Sequence, residues 1–191
     1  MMTLVFASHN KNKIAEIKAM LPKSIRLLGL DDIGCDDDIP ETADTIEGNA
    51  MLKANYVTQK FGYDCFADDT GLEVDALNGA PGVYSARYAG QQKNANDNMD
   101  KLLRELTGKP SRDAQFKTVI ALNINGVQTL FTGIVRGAIT TEKHGSQGFG
   151  YDPIFKPHGF SKTFAQFTMA EKAAESHRGK AVQKLVDFLS R

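Results

Sequence analysis

The chain has 191 residues, enough for one domain or for one domain with two lobes. Its 23 Lys and Arg residues equal its 23 Asp and Glu residues, which argues against a nucleic-acid or membrane-surface binder. We expect neither a signal peptide nor a membrane span, because no apolar run of about 18 residues occurs. Cys35 and Cys65 lack metal-ligand spacing and fit buried thiols in a reducing cytoplasm.

The first element is a predicted buried strand over residues 3–7, followed by a polar loop and then a helix. The loop residues are Ser8, His9, Asn10, Lys11, Asn12 and Lys13. Free backbone N–H groups and the helix dipole favour an anion at such a junction. The alternative is an ordinary N-capped helix with solvated lysines. No Walker-type or GxGxxG motif is present, so phosphate binding here would depend on side chains.

An acidic loop follows residues 25–33, which predict a second strand and its exit. Most of its run over 36–38 fits a solvated loop, whereas Glu41 directly follows Pro40, which restricts its approach. Capping-box spacing over 44–47 then opens a helix that Gly62 closes. We therefore single out Glu41 as the acid of this loop that is best placed to act.

The stretch over residues 66–89 is the one around which we expect the chain to be organised. Phe66 and Ala67 predict the end of a buried strand, and Asp68 and Asp69 follow directly. Adjacent strand residues point to opposite faces, so only one aspartate can easily enter a given cleft. Two carboxylates at this place are costly unless a metal, a base or water offsets them. The alternative is a simple turn over 68–71.

The second half of the chain begins with a half-buried strand over 72–77, a rigid loop over 78–82 and a helix over 96–106. Alternating apolar residues on either side of Asn125-Gly126 predict a hairpin over 116–136. We expect an α/β fold with a long, mixed, twisted sheet flanked by helices. The expected arrangement is a single domain over 1–191 with two lobes and the active cleft between them, the second lobe including this hairpin.

Two later segments carry polar groups suited to a nucleotide. The glycine-rich loop over 145–153 contains Phe149, on which a base could stack; alternatively it tucks its aromatics into the core. A last helix is predicted to open at the capping box over 168–171. Its first half carries Lys172, Ser176, His177 and Arg178, which suit a polyanion and a base, although a lone His is more often a cap or a core partner.

Five motifs occur in order, and together they resemble the inosine triphosphate pyrophosphatase family over about residues 3–190. They are SHNKNK at 8–13, ADDTGL at 67–72, GAPGVYSARY at 79–88, FGYDP at 149–153 and SHRG at 176–179. Members of that family hydrolyse deaminated purine triphosphates. The resemblance implies that ITP, dITP or XTP reacts with water to give the monophosphate and pyrophosphate, with Mg²⁺ required, in a cytoplasmic homodimer that cleanses the nucleotide pool.

The resemblance also implies residue roles. Asp69 would be the general base and a metal contact, and Glu41 would be its metal partner. The implied substrate contacts are Ser8, His9, Asn10, Lys11, Asn12, Lys13, Thr70, Phe149, Gly150, Tyr151, Asp152, Lys172, His177 and Arg178. His9 departs from the family pattern, which usually has a small residue such as glycine there; it would add a phosphate donor or point to solvent.

The chemistry fits these residue types. Carboxylate-bound Mg²⁺ neutralises a polyphosphate, lysines hold its tail, and a carboxylate activates water. Hypoxanthine and xanthine present an oxo group where adenine has an amino group, so fixed donors reject adenine. As a hypothesis, His177 and Arg178 contact the purine edge and Phe149 stacks on its face.

Three other functions compete with this one. A septum-inhibitor-type nucleotide pyrophosphatase would prefer other bases. A non-catalytic nucleotide sensor would bind triphosphates without turnover, although a pure anion binder gains little from carboxylates beside phosphates. A nucleic-acid-binding module is the weakest alternative, because the charge is balanced and no basic run is interleaved with aromatics.

Overall fold

The computed structural model describes residues 2–190, and these form seven strands and five α-helices. The strands are β1 (Met2–Phe6), β2 (Ile25–Leu28), β3 (Cys65–Val74), β4 (Pro81–Gly82), β5 (Asp113–Ile124), β6 (Val127–Ile139) and β7 (Phe155–Pro157). The helices are α1 (Lys11–Met20), α2 (Ile46–Phe61), α3 (Ala95–Glu105), α4 (Met169–Glu175) and α5 (His177–Leu189). No helix within this part of the chain is long and apolar enough to cross a bilayer.

The strands form one mixed sheet in the order β2-β1-β3-β5-β6-β7, with β4 paired to β3. β1 pairs in parallel with β2 and β3, whereas β3–β4 and β6–β7 are antiparallel. The β5–β6 connection is the predicted Asn125-Gly126 turn, and both residues have positive φ (50° and 77°), as a type I′ hairpin turn requires. The predicted mixed α/β sheet is thus confirmed.

The chain divides into two compact units, and strands β3, β5 and β6 contribute residues to both. The described part of the first unit consists of residues 2–69, 118–133 and 178–190. The second unit consists of Thr70–Lys117 and Ile134–His177. The hairpin expected in a second lobe is therefore divided: its turn and the adjoining strand segments belong to the first unit, and its strand ends belong to the second.

The core of the first unit is built from apolar residues of the parallel strands, the hairpin and two helices. Its buried members are Leu4, Phe6, Ile17, Phe66, Ile120, Leu122, Phe131, Ala181, Val182 and Leu185. Phe6 and Phe66 are register partners in the parallel ladder, and their rings stack with centroids 4.9 Å apart. Two residues beyond this pair lies Asp68, so the core fixes where the paired aspartates begin.

The core of the second unit packs α3 against strand residues and an aromatic group. Met99, Leu102 and Leu106 are buried in it, as the helical periodicity predicted, and Leu103 packs against it. Phe116, Phe155 and Phe164 form its aromatic centre, with the Phe116 and Phe155 rings edge to face at 4.7 Å.

Three sequence predictions of local structure are wrong. The strand expected to end at Ala67 continues to Val74, so residues 68–71 are extended strand and not a turn. The helix expected to open at Asp44 is capped by Thr45, whose side chain accepts from the N–H of Gly48 at 3.0 Å. The last helix is two helices, because Ser176 is extended (φ −75°, ψ 159°) and ends α4.

Truncation of Phe66 tests the core beneath the aspartates. Phe66→Ala is expected to lower the free energy of unfolding by about 3–5 kcal/mol, because it leaves a cavity and removes the ring from Phe6. Urea unfolding followed by circular dichroism measures the loss. Tyr63→Ala, a change at a side chain that is 41% exposed just before the same strand, is the control and should cost less than about 1 kcal/mol. Equal losses in the two variants would contradict this account of the core.

Candidate active site

Asp68 is the buried centre of an ion-pair network in the first unit. Lys13 Nζ lies 3.0 Å from Asp68 Oδ1, and Arg178 Nε lies 3.1 Å from Asp68 Oδ2. Arg178 Nη1 also contacts Glu16 Oε2 at 2.5 Å. Burial alone would raise the pKa of Asp68, but Lys13, Arg178 and Lys53 outweigh burial and hold that pKa below its usual range. Asp68 is therefore ionised and committed to holding α1, β3 and α5 together.

Asp69 has the opposite electrostatic character. Its side chain is buried, with the residue only 7% exposed, and its Oδ2 has no hydrogen-bond partner among residues 2–190. Its Oδ1 lies 3.7 Å from Lys53 Nζ. Burial raises the pKa of Asp69, and the carboxylates of Glu41 and Asp68 add to this against the opposing Lys53 and Lys13. One of the paired acids thus keeps an oxygen available for a ligand.

Lys53 links Asp69 to Glu41. Its Nζ lies 2.6 Å from Glu41 Oε1, and the residue is only 7% exposed. Burial alone would lower the pKa of Lys53, but Asp69 and Glu41 reverse this and raise it, so the ammonium stays charged. The two acids predicted to bind a metal therefore already converge on one positive charge.

Glu41 and Asp69 offer carboxylate oxygens, which suit Mg²⁺, but two carboxylates alone do not complete its coordination. Asp69 offers a buried carboxylate oxygen with no other partner in the described chain, which a cation would satisfy. Within residues 2–190 no group of three or more His, Cys, Asp or Glu residues could hold a metal ion. Mg²⁺ is commonly bound by one or two carboxylates together with substrate phosphates and water. The residues therefore fit a cation that is held jointly with a substrate.

The loop over residues 8–13 combines a helix cap with side chains that differ in exposure. Asn10 Oδ1 accepts from the N–H groups of Asn12 and Lys13, which is the N-cap that the alternative reading predicted. Lys11 and Asn12 are exposed, whereas Lys13 reaches Asp68. Ser8 Oγ accepts from the N–H of Asn10 at 3.1 Å. The loop thus begins a helix whose first turn presents a charged, accessible side chain.

His9 contacts the acidic loop. Its Nδ1 lies 3.3 Å from Asp31 Oδ1, and its Nε2 lies 3.2 Å from the carbonyl oxygen of Asp37. The side chain is 43% exposed. Asp37 in turn accepts from Tyr56 and Lys60 at 2.7 and 2.6 Å. The ring of His9 therefore connects the loop before α1 to the acidic loop that carries Glu41.

In the second unit, Asp152, Lys172 and Phe149 form a compact group. Lys172 Nζ contacts Asp152 Oδ2 at 2.6 Å and lies 4.7 Å from the centre of the Phe149 ring. The N–H of Phe149 donates to Asp152 Oδ2 at 2.9 Å. Gly148 has a φ of +73°, and a Cβ there would collide with the Asp152 carboxylate. An aromatic face with a fixed cation and carboxylate beside it can recognise a planar polar ring.

The motif over residues 79–88 contacts the loop that carries Phe149 and Asp152, through a bond between Ser85 and Tyr151. The hydroxyl of Tyr151 donates to the carbonyl oxygen of Ser85 at 2.7 Å, and Ser85 Oγ accepts from the N–H of Leu72 at 2.9 Å. Tyr151 and Ser85 are buried. The structure therefore gives Tyr151 a packing and anchoring contact, while Gly150 (φ +62°) allows the turn beside it and Thr70 continues β3 half-buried.

His177 and Arg178 are consecutive but have different surroundings. His177 belongs to the second unit, where its ring stacks on Phe116 with centroids 4.4 Å apart. Arg178 belongs to the first unit and is only 2% exposed in its contacts with Asp68 and Glu16. The break at Ser176 lets the two side chains take separate partners. Their predicted contacts with the purine edge stay predictions.

Sequence reasoning missed Lys53 and Glu16 as members of the charge network. A signal for Lys53 was available: it lies three residues after Ala50 and four before Val57, on the apolar stripe of α2. A charged residue in such a stripe must be paired when it is buried. Glu16 offered no comparable signal, because its partner Arg178 is 162 positions away in the sequence.

Comparison with known proteins shows close relatives over the whole chain. The sequence model of the Ham1 family matches residues 4–188. A dITP/XTP pyrophosphatase of Flavobacterium psychrophilum is 71% identical over 187 residues, 98% of this chain and 98% of that protein. A dITP/XTP pyrophosphatase of Christiangramia forsetii is 60% identical over 190 residues, 100% of each chain.

Two solved structures agree with the fold. The Ham1 protein of Staphylococcus aureus has a TM-score of 0.90 and 41% sequence identity, covering 98% of each chain. A HAM1 protein from Coxiella burnetii has a TM-score of 0.92 and 37% identity, covering 100% of this chain and 99% of that chain.

The different surroundings of Asp68 and Asp69 predict opposite effects on stability. In metal-free buffer at pH 7, Asp68→Asn is expected to lower the free energy of unfolding by about 3–5 kcal/mol, because Lys13 and Arg178 lose a buried counter-charge. Asp69→Asn is expected to leave it unchanged or raise it, since burial disfavours that charge. Urea unfolding of both variants measures the difference.

The pH dependence follows from the lowered pKa of Asp68. Its stabilising contribution is present above the ordinary Asp pKa, about 3.9, and is lost as the pH falls through the lowered folded-state value. The gap between wild type and Asp68→Asn should therefore narrow below about pH 4. Equal destabilisation by the two substitutions at pH 7 would refute the division of roles.

Proposed function

The chain belongs to the Ham1 family, and we propose that it is a dITP/XTP pyrophosphatase. It hydrolyses deaminated purine nucleoside triphosphates (ITP, dITP and XTP) to the monophosphate and pyrophosphate. The observation that carries this proposal is the buried Asp69 carboxylate, which keeps an oxygen without a partner in the described chain beside Lys53 and Glu41. A relative from Flavobacterium psychrophilum that is 71% identical bears the name of this activity.

The first unit is proposed to bind the triphosphate tail. A nucleoside triphosphate carries about four negative charges near neutral pH, which require cations at the site. Lys11 is exposed at the start of α1 and Lys13 lies two residues further on. The dipole of the helix N-terminus also favours an anion here. We propose that Ser8, His9, Asn10 and Asn12 form the rest of the phosphate-binding loop.

Glu41 and Asp69 are the residues that would hold a divalent metal, for which we propose Mg²⁺. When bound, Mg²⁺ supplies charge neutralisation for the phosphates. Lys53 keeps the two carboxylates together and screens their mutual repulsion.

Asp69 is proposed to act as the general base. Its buried carboxylate keeps an oxygen without a partner in the described chain, which can orient the attacking water and accept its proton. The proton moves from water to Asp69 as the new P–O bond forms, and the bond to the pyrophosphate leaving group breaks. Asp68 takes no part in the proton transfer, because both of its oxygens contact cations.

The second unit is proposed to bind the purine. Phe149 stacks on the base, and its own ring is held in place by Lys172 and Asp152. Gly150 and Tyr151 shape the loop beside it, and Thr70 belongs to the neighbouring strand. Fixed donors favour the 6-oxo group of hypoxanthine and xanthine over the amino group of adenine. Contacts of His177 and Arg178 with the purine edge remain part of this proposal.

Domain organisation, assembly and location are proposed on the same basis. We propose that residues 1–191 act as one functional domain, since one family model spans 4–188. We further propose a cytoplasmic homodimer that removes deaminated purine nucleotides from the nucleotide pool. Sedimentation velocity tests the dimer. The names of the relatives favour this activity over a septum-inhibitor-type pyrophosphatase, and the paired carboxylates favour turnover over a sensor.

A substrate panel tests the proposed reaction. The wild-type protein is expected to release pyrophosphate from ITP, dITP and XTP at least about 100-fold faster, in kcat/KM, than from ATP, because a buried unpaired donor costs several kcal/mol. Release should stop with a chelator and return with Mg²⁺. Orthophosphate release, or a preference for other bases, would contradict the proposal; binding without turnover would support a sensor.

The base-stacking role of Phe149 is tested separately. Phe149→Ala is expected to raise KM for ITP roughly tenfold or more with a smaller change in kcat, since base–aromatic stacking contributes about 1–3 kcal/mol. Phe160→Ala is the control, because Phe160 is a partly exposed aromatic of the same unit that packs on Phe167. A KM within twofold of wild type for Phe149→Ala would exclude stacking on this ring.

A further inference from the structure

Asn49 is a fully buried polar residue beside the acidic loop. It lies on α2 and is 0% exposed. Its Oδ1 accepts from the N–H of Ala43 at 2.9 Å, which ties the segment just after Glu41 to the helix. Its Nδ2 has no hydrogen-bond partner among residues 2–190. A buried amide donor without a partner costs about as much as a lost hydrogen bond, so its retention calls for an explanation.

The orientation of the amide is fixed by its partner. The N–H of Ala43 is a donor, so the atom that faces it must be the carbonyl oxygen of Asn49. Turning the amide over would place two donors against each other. Nδ2 therefore points away from Ala43, to a place where the described chain offers no acceptor.

Asn98 is a comparable asparagine whose amide oxygen and amide nitrogen both have hydrogen-bond partners within the protein. Asn98 also lies near the start of a helix, α3, and its Oδ1 accepts from a loop N–H, that of Ala89, at 2.7 Å. Its Nδ2 donates to the carbonyl oxygens of Ala86 at 3.0 Å and Ser85 at 3.4 Å. The two asparagines thus share the loop-holding bond and differ in whether Nδ2 is satisfied within the protein.

The position of Asn49 relates it to the charge cluster. Residues four apart lie on one face of a helix, so Asn49 lies one turn before Lys53. Lys53 Nζ contacts Glu41 and Asp69, and Asn49 holds the segment directly after Glu41. Asn49 is therefore linked through α2 and through the segment after Glu41 to the group to which we assign the metal and the phosphates.

We propose that Asn49 is a further substrate-binding residue whose Nδ2 donates to an anionic phosphate oxygen of the polyphosphate. This inference rests on the proposed function, because it assigns the donor to the same ligand. The assignment gives one amide two roles: Oδ1 positions the loop that carries Glu41, and Nδ2 completes its hydrogen bonding when the polyphosphate binds. The unmet donor in the ligand-free chain becomes a specific contact in the complex.

Asn49→Asp separates the two roles. The aspartate keeps an oxygen for the N–H of Ala43 and replaces the Nδ2 donor by an acceptor. We expect Mg²⁺-dependent binding of inorganic pyrophosphate, measured by calorimetry, to weaken roughly ten- to hundredfold, because hydrogen bonds to charged groups are among the stronger ones. The kcat/KM for ITP should fall in parallel. A lower Tm is expected for Asn49→Asp, because it places a carboxylate at a fully buried position. A lower Tm is also expected for Asn98→Asp, which places a carboxylate oxygen against the carbonyl oxygens of Ser85 and Ala86. Binding is therefore measured at a temperature at which each variant is folded.

Two further variants control for charge and folding. Thr45→Asp adds the same charge one helical turn away and preserves the N-cap, because Asp also caps helices. It should bind pyrophosphate within threefold of wild type. Asn49→Leu is neutral and similar in volume, and it removes both roles of the amide. It therefore tests the amide without an added charge if the aspartate variant does not fold, and it should also lose at least tenfold.

The outcomes separate this inference from the proposed function. Pyrophosphate binding by Asn49→Asp or Asn49→Leu within threefold of wild type overturns the assignment and leaves Nδ2 to a water molecule. Equal losses in Thr45→Asp and Asn49→Asp also overturn it, because charge alone would then explain the effect. If wild type hydrolyses no triphosphate, the proposed function fails, while a selective loss of pyrophosphate binding in the Asn49 variants would still support the donor.

Discussion

The contacts of Asp68 with Lys13 and Arg178 are the interaction on which the candidate site depends. They join β3 to α1 and α5 within the first unit, and Arg178 continues the network to Glu16. A buried carboxylate without its cations is strongly destabilising, so these three elements can be placed in only a narrow range of positions. Because Asp69 is the next residue on the same rigid strand, the network that holds Asp68 also fixes where Asp69 lies.

The neighbouring carboxylates show how one short sequence serves stability and chemistry at once. Asp68 has both oxygens paired, whereas Asp69 has one oxygen with no partner in the described chain and a raised pKa. The folded state therefore leaves one carboxylate oxygen of Asp69 without a hydrogen bond, whereas it pairs both oxygens of Asp68. Asn49 extends this pattern to a neutral group, since its Nδ2 is likewise unsatisfied. In the complex that we propose, a ligand completes both groups.

Much of the fold could be predicted from the sequence, and the structure brings the predicted pair Glu41 and Asp69 to one cation, Lys53. The strand before Asp68, the Asn125-Gly126 hairpin and the apolar faces of the helices follow from local patterns. The partners of the charges could not be predicted, because the Arg178–Asp68 contact spans 110 positions. The extended Ser176 between the last two helices was also missed, since the capping box gives the start of α4 and no local signal gives its end.

The rate of pyrophosphate release from ITP by Asp69→Asn is the direct test of the catalytic role that we propose for Asp69. The rate is measured with saturating Mg²⁺. The free energy of unfolding of the variant is measured first and must be no lower than that of wild type, so that a slower rate is not caused by unfolding. We expect kcat to fall by about 10²–10⁴-fold, because the substitution removes the proposed base and a proposed metal contact while sparing the fold. A kcat within tenfold of wild type would contradict the proposed role, and the reaction would then need a different base.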